Sequence, residues 1–536
     1  MSATTKKTGK GIFASSIVIL LILVVVNLIA VNTINRIDLT ENKEFTISQS
    51  TRKILGNMDD LVTIKVYFSK DLPAYISSLP RSVRDVLDEF SAYSKGNLQV
   101  RWEDPGDSPE DQARLNRLGI RPVQLDVIQK DKREVANVYL GMAIMYEDRH
   151  EVIPVVQGPW GLEYELATSI LKVTRTETPK IGIISRYERA DFDQRYQQMQ
   201  MVLGKQYEIQ FLDLADGKNP IPDDITSLML VGPKELADAE QYRIDQFIMG
   251  GGRVFAMLDG LDMSDAALQG TRLTSGLEDM METFGLRLNS DLVVDRISSM
   301  ASFSSGFIRF MSNYPLWPKI VRQGFDDDHP VVSKLETVTM PWTRSIDMVG
   351  TPPDSIEITR MAASSEASWT STNFSNLNPQ QEWNASQEDM KVHGLIYSLN
   401  GVFPSHFAGK DIPAVADSGA APIDGTGRRD ESLPTQMIVA GNSYFATDQF
   451  LAQFPGNLTF MLNAVDWISM GTELVGIRSR HVSERPLKEI SEGHKNALRI
   501  IGILLIPVVI VIIGMVRAFA GARVKRIGES EYGGAA

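Results

Sequence analysis

Hydrophobic positions along the chain follow three patterns, and each predicts a different element. Near the ends lie two unbroken apolar runs. In the first, Ile12 to Val31, only Ser15, Ser16 and Asn27 are polar and nothing is charged. At ~1.5 Å per residue a helix of this length covers roughly 30 Å, the hydrocarbon thickness of a bilayer, and satisfies its own backbone there. The second run, Ile500 to Val516, is uncharged and bracketed by Arg499 and Arg517; Gly502 and Pro507 are tolerable in such a helix. These runs predict transmembrane helices at 12–31 and 498–517. A cleaved signal peptide is the rival reading of the first, but the run is long and Ala30-Val31-Asn32-Thr33 lacks paired small residues.

Between the runs, short alternating segments predict strands and 3.6-period segments predict helices. A juxtamembrane segment, 32–57, carries a predicted helix from Gln49 to Asn57 with Ser48 as N-cap. Strand 61–69, helix 81–95, strand 98–103, helix 109–118, strands near 123–130, 135–147 and 150–156, and helix 162–174 then predict a first α/β domain, 58–176, of thioredoxin-like order. With no cysteine in the chain it cannot perform that fold's redox chemistry. From Lys180, strands 181–185, 207–214, 227–233 and 253–259 alternate with helices 194–203 and 235–249. This predicts a parallel sheet with helices on both faces, a larger Rossmann-like α/β domain over 177–480. Strand 437–441 and helix 457–469 read as its last elements, leaving about 261–435 as insertion. Residues 481–497 form a linker.

Charge sets the expected topology. Lys6, Lys7 and Lys10 precede the first span, and Arg517, Arg523, Lys525 and Arg526 follow the second, so the tails 1–11 and 518–536 are expected in the cytoplasm. The large region is then periplasmic, anchored in a bacterial inner membrane. Absence of cysteine agrees with that compartment. With 43% hydrophobic and 23% charged residues the chain can bury real cores, and a net charge of −13 argues against nucleic acid.

Candidate chemistry is sparse. Gly250-Gly251-Gly252 follows a predicted helix, where a C-cap is expected rather than a phosphate cradle, and no P-loop is present. The six histidines at 150, 329, 393, 406, 481 and 494 show no i, i+4 pair, and Asp326-Asp327-Asp328-His329 fits no standard metal spacing. Ser443 follows a strand like a nucleophile elbow, but the second glycine of that pattern is missing and no histidine partner can be assigned. Trp317, Trp342, Trp369 and Trp383 could stack on a glycan, though packing is the commoner role. No catalytic, cofactor or metal residue is expected.

Several segments together resemble the GldG type of ABC-transporter auxiliary protein. They are Arg36-Ile-Asp-Leu-Thr-Glu-Asn-Lys-Glu-Phe-Thr-Ile-Ser48, the Glu103-Asp-Pro turn, Gly119-Ile120, Glu163-Tyr-Glu-Leu166 and Gly401-Val-Phe-Pro-Ser-His-Phe407. To these add Gly441-Asn-Ser-Tyr-Phe-Ala-Thr-Asp448, Gly456-Asn457 and Asn463-Ala-Val-Asp-Trp467. The resemblance implies a non-enzymatic subunit working with a separate ABC-2 type permease and a cytoplasmic ABC ATPase. It also implies a second domain resembling the glutamine-amidotransferase-like fold, here without that fold's cysteine nucleophile. Helices that dock in lipid do so through small or polar residues, which points to Ser15, Ser16, Asn27, Gly502 and Gly514. Arg36, Asp38, Leu39 and Thr40 would follow at the membrane surface. A stand-alone anchored glycan-binding protein or hydrolase is the alternative.

Overall fold

The computed structural model describes residues 47–470, apart from 107, 130–131, 157, 159–160, 176–177, 265–267, 306–307 and 416–421. All described residues fall within one of the two units into which the chain divides, Met1–Val482.

The first lobe is built on helix α1 (Gln49–Gly56), strand β1 (Val62–Phe68), α2 (Leu79–Tyr93), β2 (Leu98–Glu103) and α3 (Pro109–Arg117). A hairpin of β3 (Val123–Gln129) and β4 (Lys132–Val138), then β5 (Leu140–Tyr146), β6 (Arg149–Ile153) and α4 (Leu162–Thr174), complete it. Its sheet has the order β2-β1-β5-β6, with β1 and β2 parallel and β5 antiparallel to both β1 and β6. The single strand expected at 135–147 divides at Tyr139. There the chain leaves β3 and joins the main sheet: Ser69 N–H donates to Tyr139 O (3.0 Å), and Tyr139 N–H to Ser69 Oγ (2.9 Å). Ile54, Val62, Ile64, Leu87, Phe90, Leu166 and Ile170 fill one core.

The second lobe opens with β7 (Lys180–Ser185), α5 (Arg189–Arg195), α6 (Gln197–Leu203), β8 (Glu208–Phe211), β9 (Ile225–Val231), α7 (Asp238–Met249) and β10 (Arg253–Met257). The helix expected at 194–203 is two helices, broken at Tyr196. Asp448 caps the second by accepting from Gln197 N–H (3.1 Å) and Gln198 N–H (2.8 Å), while the Tyr196 ring stacks on Phe192 at 4.7 Å. After β10 come β11 (Leu261–Ser264), β12 (Gln269–Arg272), α8 (Glu278–Thr283), β13 (Leu286–Leu288), β14 (Leu292–Asp295), β15 (Ser298–Ser305) and β16 (Ile308–Val321). Then follow β17 (Thr337–Thr339), β18 (Ile346–Met348), β19 (Ile356–Ala363), β20 (Ser368–Ser371), β21 (Gly394–Gly401), β22 (Thr435–Ala440), α9 (Asp448–Gln453) and α10 (Pro455–Met470).

A nine-stranded sheet of order β13-β18-β21-β22-β10-β9-β7-β8, with β19 also on β21, spans the lobe. It is parallel from β8 to β22 and antiparallel beyond. The 261–435 stretch therefore supplies the antiparallel half of the sheet. Successive side chains point to opposite faces, so Phe255 and Met257 enter the core beneath α5, α6 and α10, while Val254 and Ala256 enter the core beneath α7 and α8.

The expected fold class needs correction. Among the described residues no helix is long and apolar enough to cross a membrane, and the architecture is mixed α/β. The longest apolar helix, α10, packs on β17, β10 and β22 and is buried without a break from Asn463 to Ile468. The two predicted spans, 12–31 and 498–517, lie outside the described residues. The two-span inner-membrane placement, with a periplasmic body and cytoplasmic tails, is likewise not matched by this finding.

Candidate functional site at the carboxyl edge of the sheet

In an open parallel sheet, neighbouring connections diverge at one point, and the crevice beyond the carboxyl ends there is where ligands usually bind. Here that point lies between β7 and β9, because β8 follows on one side and β9 and β10 on the other. Four strands deliver residues to it: Arg186 after β7, Gly232 after β9, Asp259 after β10, and Asn442 and Ser443 after β22.

These residues fill the crevice with a buried polar network, in which Arg186 Nε and Asn442 Oδ1 are left without a hydrogen-bond partner. The Arg186 side chain is 5% exposed and Asp259 1%. Arg186 Nη1 donates to Asp259 Oδ2 and to Gly232 O (2.9 Å), and Nη2 donates to Tyr187 OH (2.7 Å) and Tyr444 OH (3.2 Å). Ser443 is fully buried; its N–H donates to Asp259 Oδ1, and its hydroxyl to Asp259 Oδ2 at 2.8 Å. Burial opposes the Arg186 charge, but the Asp259 carboxylate and the two phenols more than offset it, so its pKa is raised. Burial also drives the Tyr196 and Tyr444 phenols upward. A side chain at Gly232 could not fit. Its φ is +55°, and a Cβ would stand 2.3 Å from Asp259 Oδ2 and 2.8 Å from Ser443 Oγ.

Ser443 thus has the strand-end position expected of a nucleophile, with its hydroxyl committed to Asp259. Its partner is a carboxylate already paired to arginine, and the nearest other hydroxyl, Tyr196 OH, is 3.4 Å away. Its neighbours in the same segment hold backbone. Gly441 lets residues 343–344 cross, since a Cβ there would lie 2.5 Å from Arg344 O, and Asn442 Nδ2 donates to Pro341 O.

The other motif segments act in the same way. Asn457 accepts from Thr339 N–H (2.8 Å) and donates to Thr339 O (2.9 Å) and Phe445 O (3.1 Å); Asn463 donates to Val331 O (3.0 Å). Asp245 on α7 accepts from Ser405 Oγ (2.7 Å) and His406 N–H (2.8 Å), pinning the 401–407 segment. Glu163 on α4 accepts from Ser48 N–H (2.7 Å) and Thr51 Oγ1 (2.5 Å), locking the start of α1, where Ser48 is the N-cap as expected. Buried Asp466 accepts from Tyr207 OH (2.7 Å); burial raises its carboxyl to about 7.

Other sequence candidates are also structural. Gly250 caps the end of α7. Asp326 accepts from the N–H groups of Asp328 (2.9 Å) and His329 (2.7 Å), and Asp327 pairs with Arg322. Burial lowers His329 to about 4. Trp317, Trp342 and Trp369 lie in one aromatic core, with Trp383 packed against it. Ser15, Ser16, Asn27, Arg36, Asp38, Leu39, Thr40, Gly502 and Gly514 lie outside the described residues. Sequence reasoning missed Arg186, Asp259 and Tyr196. The available signal was that the first two follow strands flanking the divergence point.

Comparison with known proteins gives this framework a place. Residues 41–145 match a domain of unknown function. A Borreliella burgdorferi protein described as uncharacterized is 27% identical over 496 residues, covering 90% of this chain and 92% of its own. Two solved structures are similar at low levels: the mmIFT52 N-terminal domain (13% identity, 54% of this chain and 96% of that one, TM-score 0.33) and a thua-like protein from Bacteroides uniformis (10%, 56% and 98%, TM-score 0.30). Residues 178–464, the lobe built around the Arg186–Asp259–Ser443 network, match the family described as ABC-type uncharacterized transport system, and the chain belongs to that family.

Proposed function

We propose that the chain is a non-enzymatic auxiliary subunit of an ABC-2 type transport system, working beside a separate permease and a separate ATPase, with its α/β body handling or gating the substrate. The observation that carries this reading is the filled crevice. Where an α/β enzyme would keep a reactive group open to substrate, Arg186, Asp259 and Ser443 spend their hydrogen bonds on one another. The motif residues around it bind backbone in the same spirit, which suits a rigid body that partners push against.

The test is reconstitution. Tagged full-length chain should copurify with permease and ATPase, hydrolyse no ATP alone, and alter transport when withheld. ATP or ester hydrolysis by the isolated chain, abolished by Ser443→Ala in a folded variant, would replace this reading with the hydrolase alternative.

A further inference from the structure

The opposite edge of the same sheet is open. Beneath the amino ends of β7, β9 and β10 runs a groove of about 960 Å³, bounded by residues 423–429 and the end of α7. Arg175, Lys180, Arg243, Arg253, Arg428 and Arg429 line it. Against these six cations stand five carboxylates, Asp223, Asp224 and Asp424 in the groove and Glu208 and Asp430 paired to Lys180 and Arg428, a local surplus of +1. In a chain of net charge −13 the groove is a reversal of sign.

Among the described residues, Arg243, Arg253 and Arg429 make no ion pair. Lys180 is paired, with Asp224 at 2.8 Å and Glu208 at 3.3 Å, and Arg428 reaches Asp430 at 3.3 Å. Arg243 instead donates to Gly217 O (3.1 Å), and Arg253 to Ile468 O (3.3 Å) and Ser469 O (3.4 Å). Carbonyls fix these guanidinium groups without cancelling their charge. A structural reading exists for Arg253, which sits on the last carbonyls of α10. The helix end supplies only about half a negative charge, so a surplus remains once it is counted. Arg429 is exposed at the rim. Ile221, Phe247, Ile423 and Pro222 add apolar wall beside the three-glycine floor at 250–252.

We infer that this groove is a docking site for an acidic, partly apolar extended segment of a partner protein. Cations held in place by backbone meet carboxylates with little reordering, and the apolar wall takes the intervening side chains. The groove's charge and shape carry the docking itself; that the segment belongs to a component of the transport system rests on the proposed function.

Fluorescence anisotropy on the full-length chain tests it, with a fluorescein-labelled peptide of alternating glutamate and leucine and its glutamine counterpart. The acidic peptide should bind, weaken as salt rises, and bind about tenfold more weakly to Arg429→Glu and more tightly to Asp223→Lys. Both positions are exposed, so both variants should keep the wild-type melting curve. Equal binding of the glutamine peptide, no binding of either, or indifference to both substitutions would overturn the inference. So would binding of inositol hexakisphosphate with none of the peptide, which would make the groove a small-anion site.

Discussion

The two edges of the second lobe's parallel sheet put the same residue types to opposite uses. At the carboxyl edge the buried guanidinium of Arg186 is matched by Asp259, and the crevice is full. At the amino edge Arg243 and Arg253 rest on carbonyls, their charge is unmatched, and the groove is empty of side chains. A buried ion pair roughly balances its own desolvation and mainly specifies geometry, whereas uncompensated charge projects a field. The comparison teaches that position at a strand's carboxyl end does not by itself make a site; what decides is whether the charges there are already paired.

The largest expected effect breaks the closed edge. Asp259→Ala leaves Arg186 buried without its carboxylate and should cost about 3–5 kcal/mol in urea unfolding. A loss below about 1 kcal/mol would mean the pair is solvated, unlike the buried network described. Next, Gly232→Ala forces a Cβ against Asp259 and Ser443 on a left-handed backbone and should cost about 2–4 kcal/mol. An unchanged unfolding midpoint would show that the crevice has room.

Much of the local structure was legible before these long-range contacts. Ser48 as a cap, the bounds of α4 and the succession of strands from β7 to β10 follow from period and turn chemistry. What was not legible depends on residues far apart in sequence. Glu163 reaches Ser48 across 115 positions, Asp448 caps the second helix at Gln197 from 251 positions away, and the antiparallel β21 enters the sheet only because β22 offers it a partner. Ser443 was visible as a serine after a strand. Its meaning changed because Asp259, 184 positions earlier, accepts its hydroxyl's hydrogen bond. No periodicity carries that information.

A smaller effect concerns pH. Burial raises Asp466 from 3.8 to about 7, so the folded chain keeps a proton that the unfolded chain has released. This contribution to stability is whole below the unfolded value, declines as pH rises, and is lost above the folded one. The stability of wild type relative to Asp466→Asn should therefore fall between about pH 4 and pH 7. A difference that is flat across that window would show that Asp466 ionises normally. Ser443→Ala is the mildest change, expected to cost about 1 kcal/mol for one hydrogen bond.

The contrast between edges is tested most directly by one transport assay on the reconstituted system, comparing Ser443→Ala with Arg429→Glu at equal amounts of folded protein. The closed edge as framework and the open edge as docking surface predict near wild-type transport for Ser443→Ala and impaired transport for Arg429→Glu. Transport abolished by Ser443→Ala and unaffected by Arg429→Glu would contradict the account.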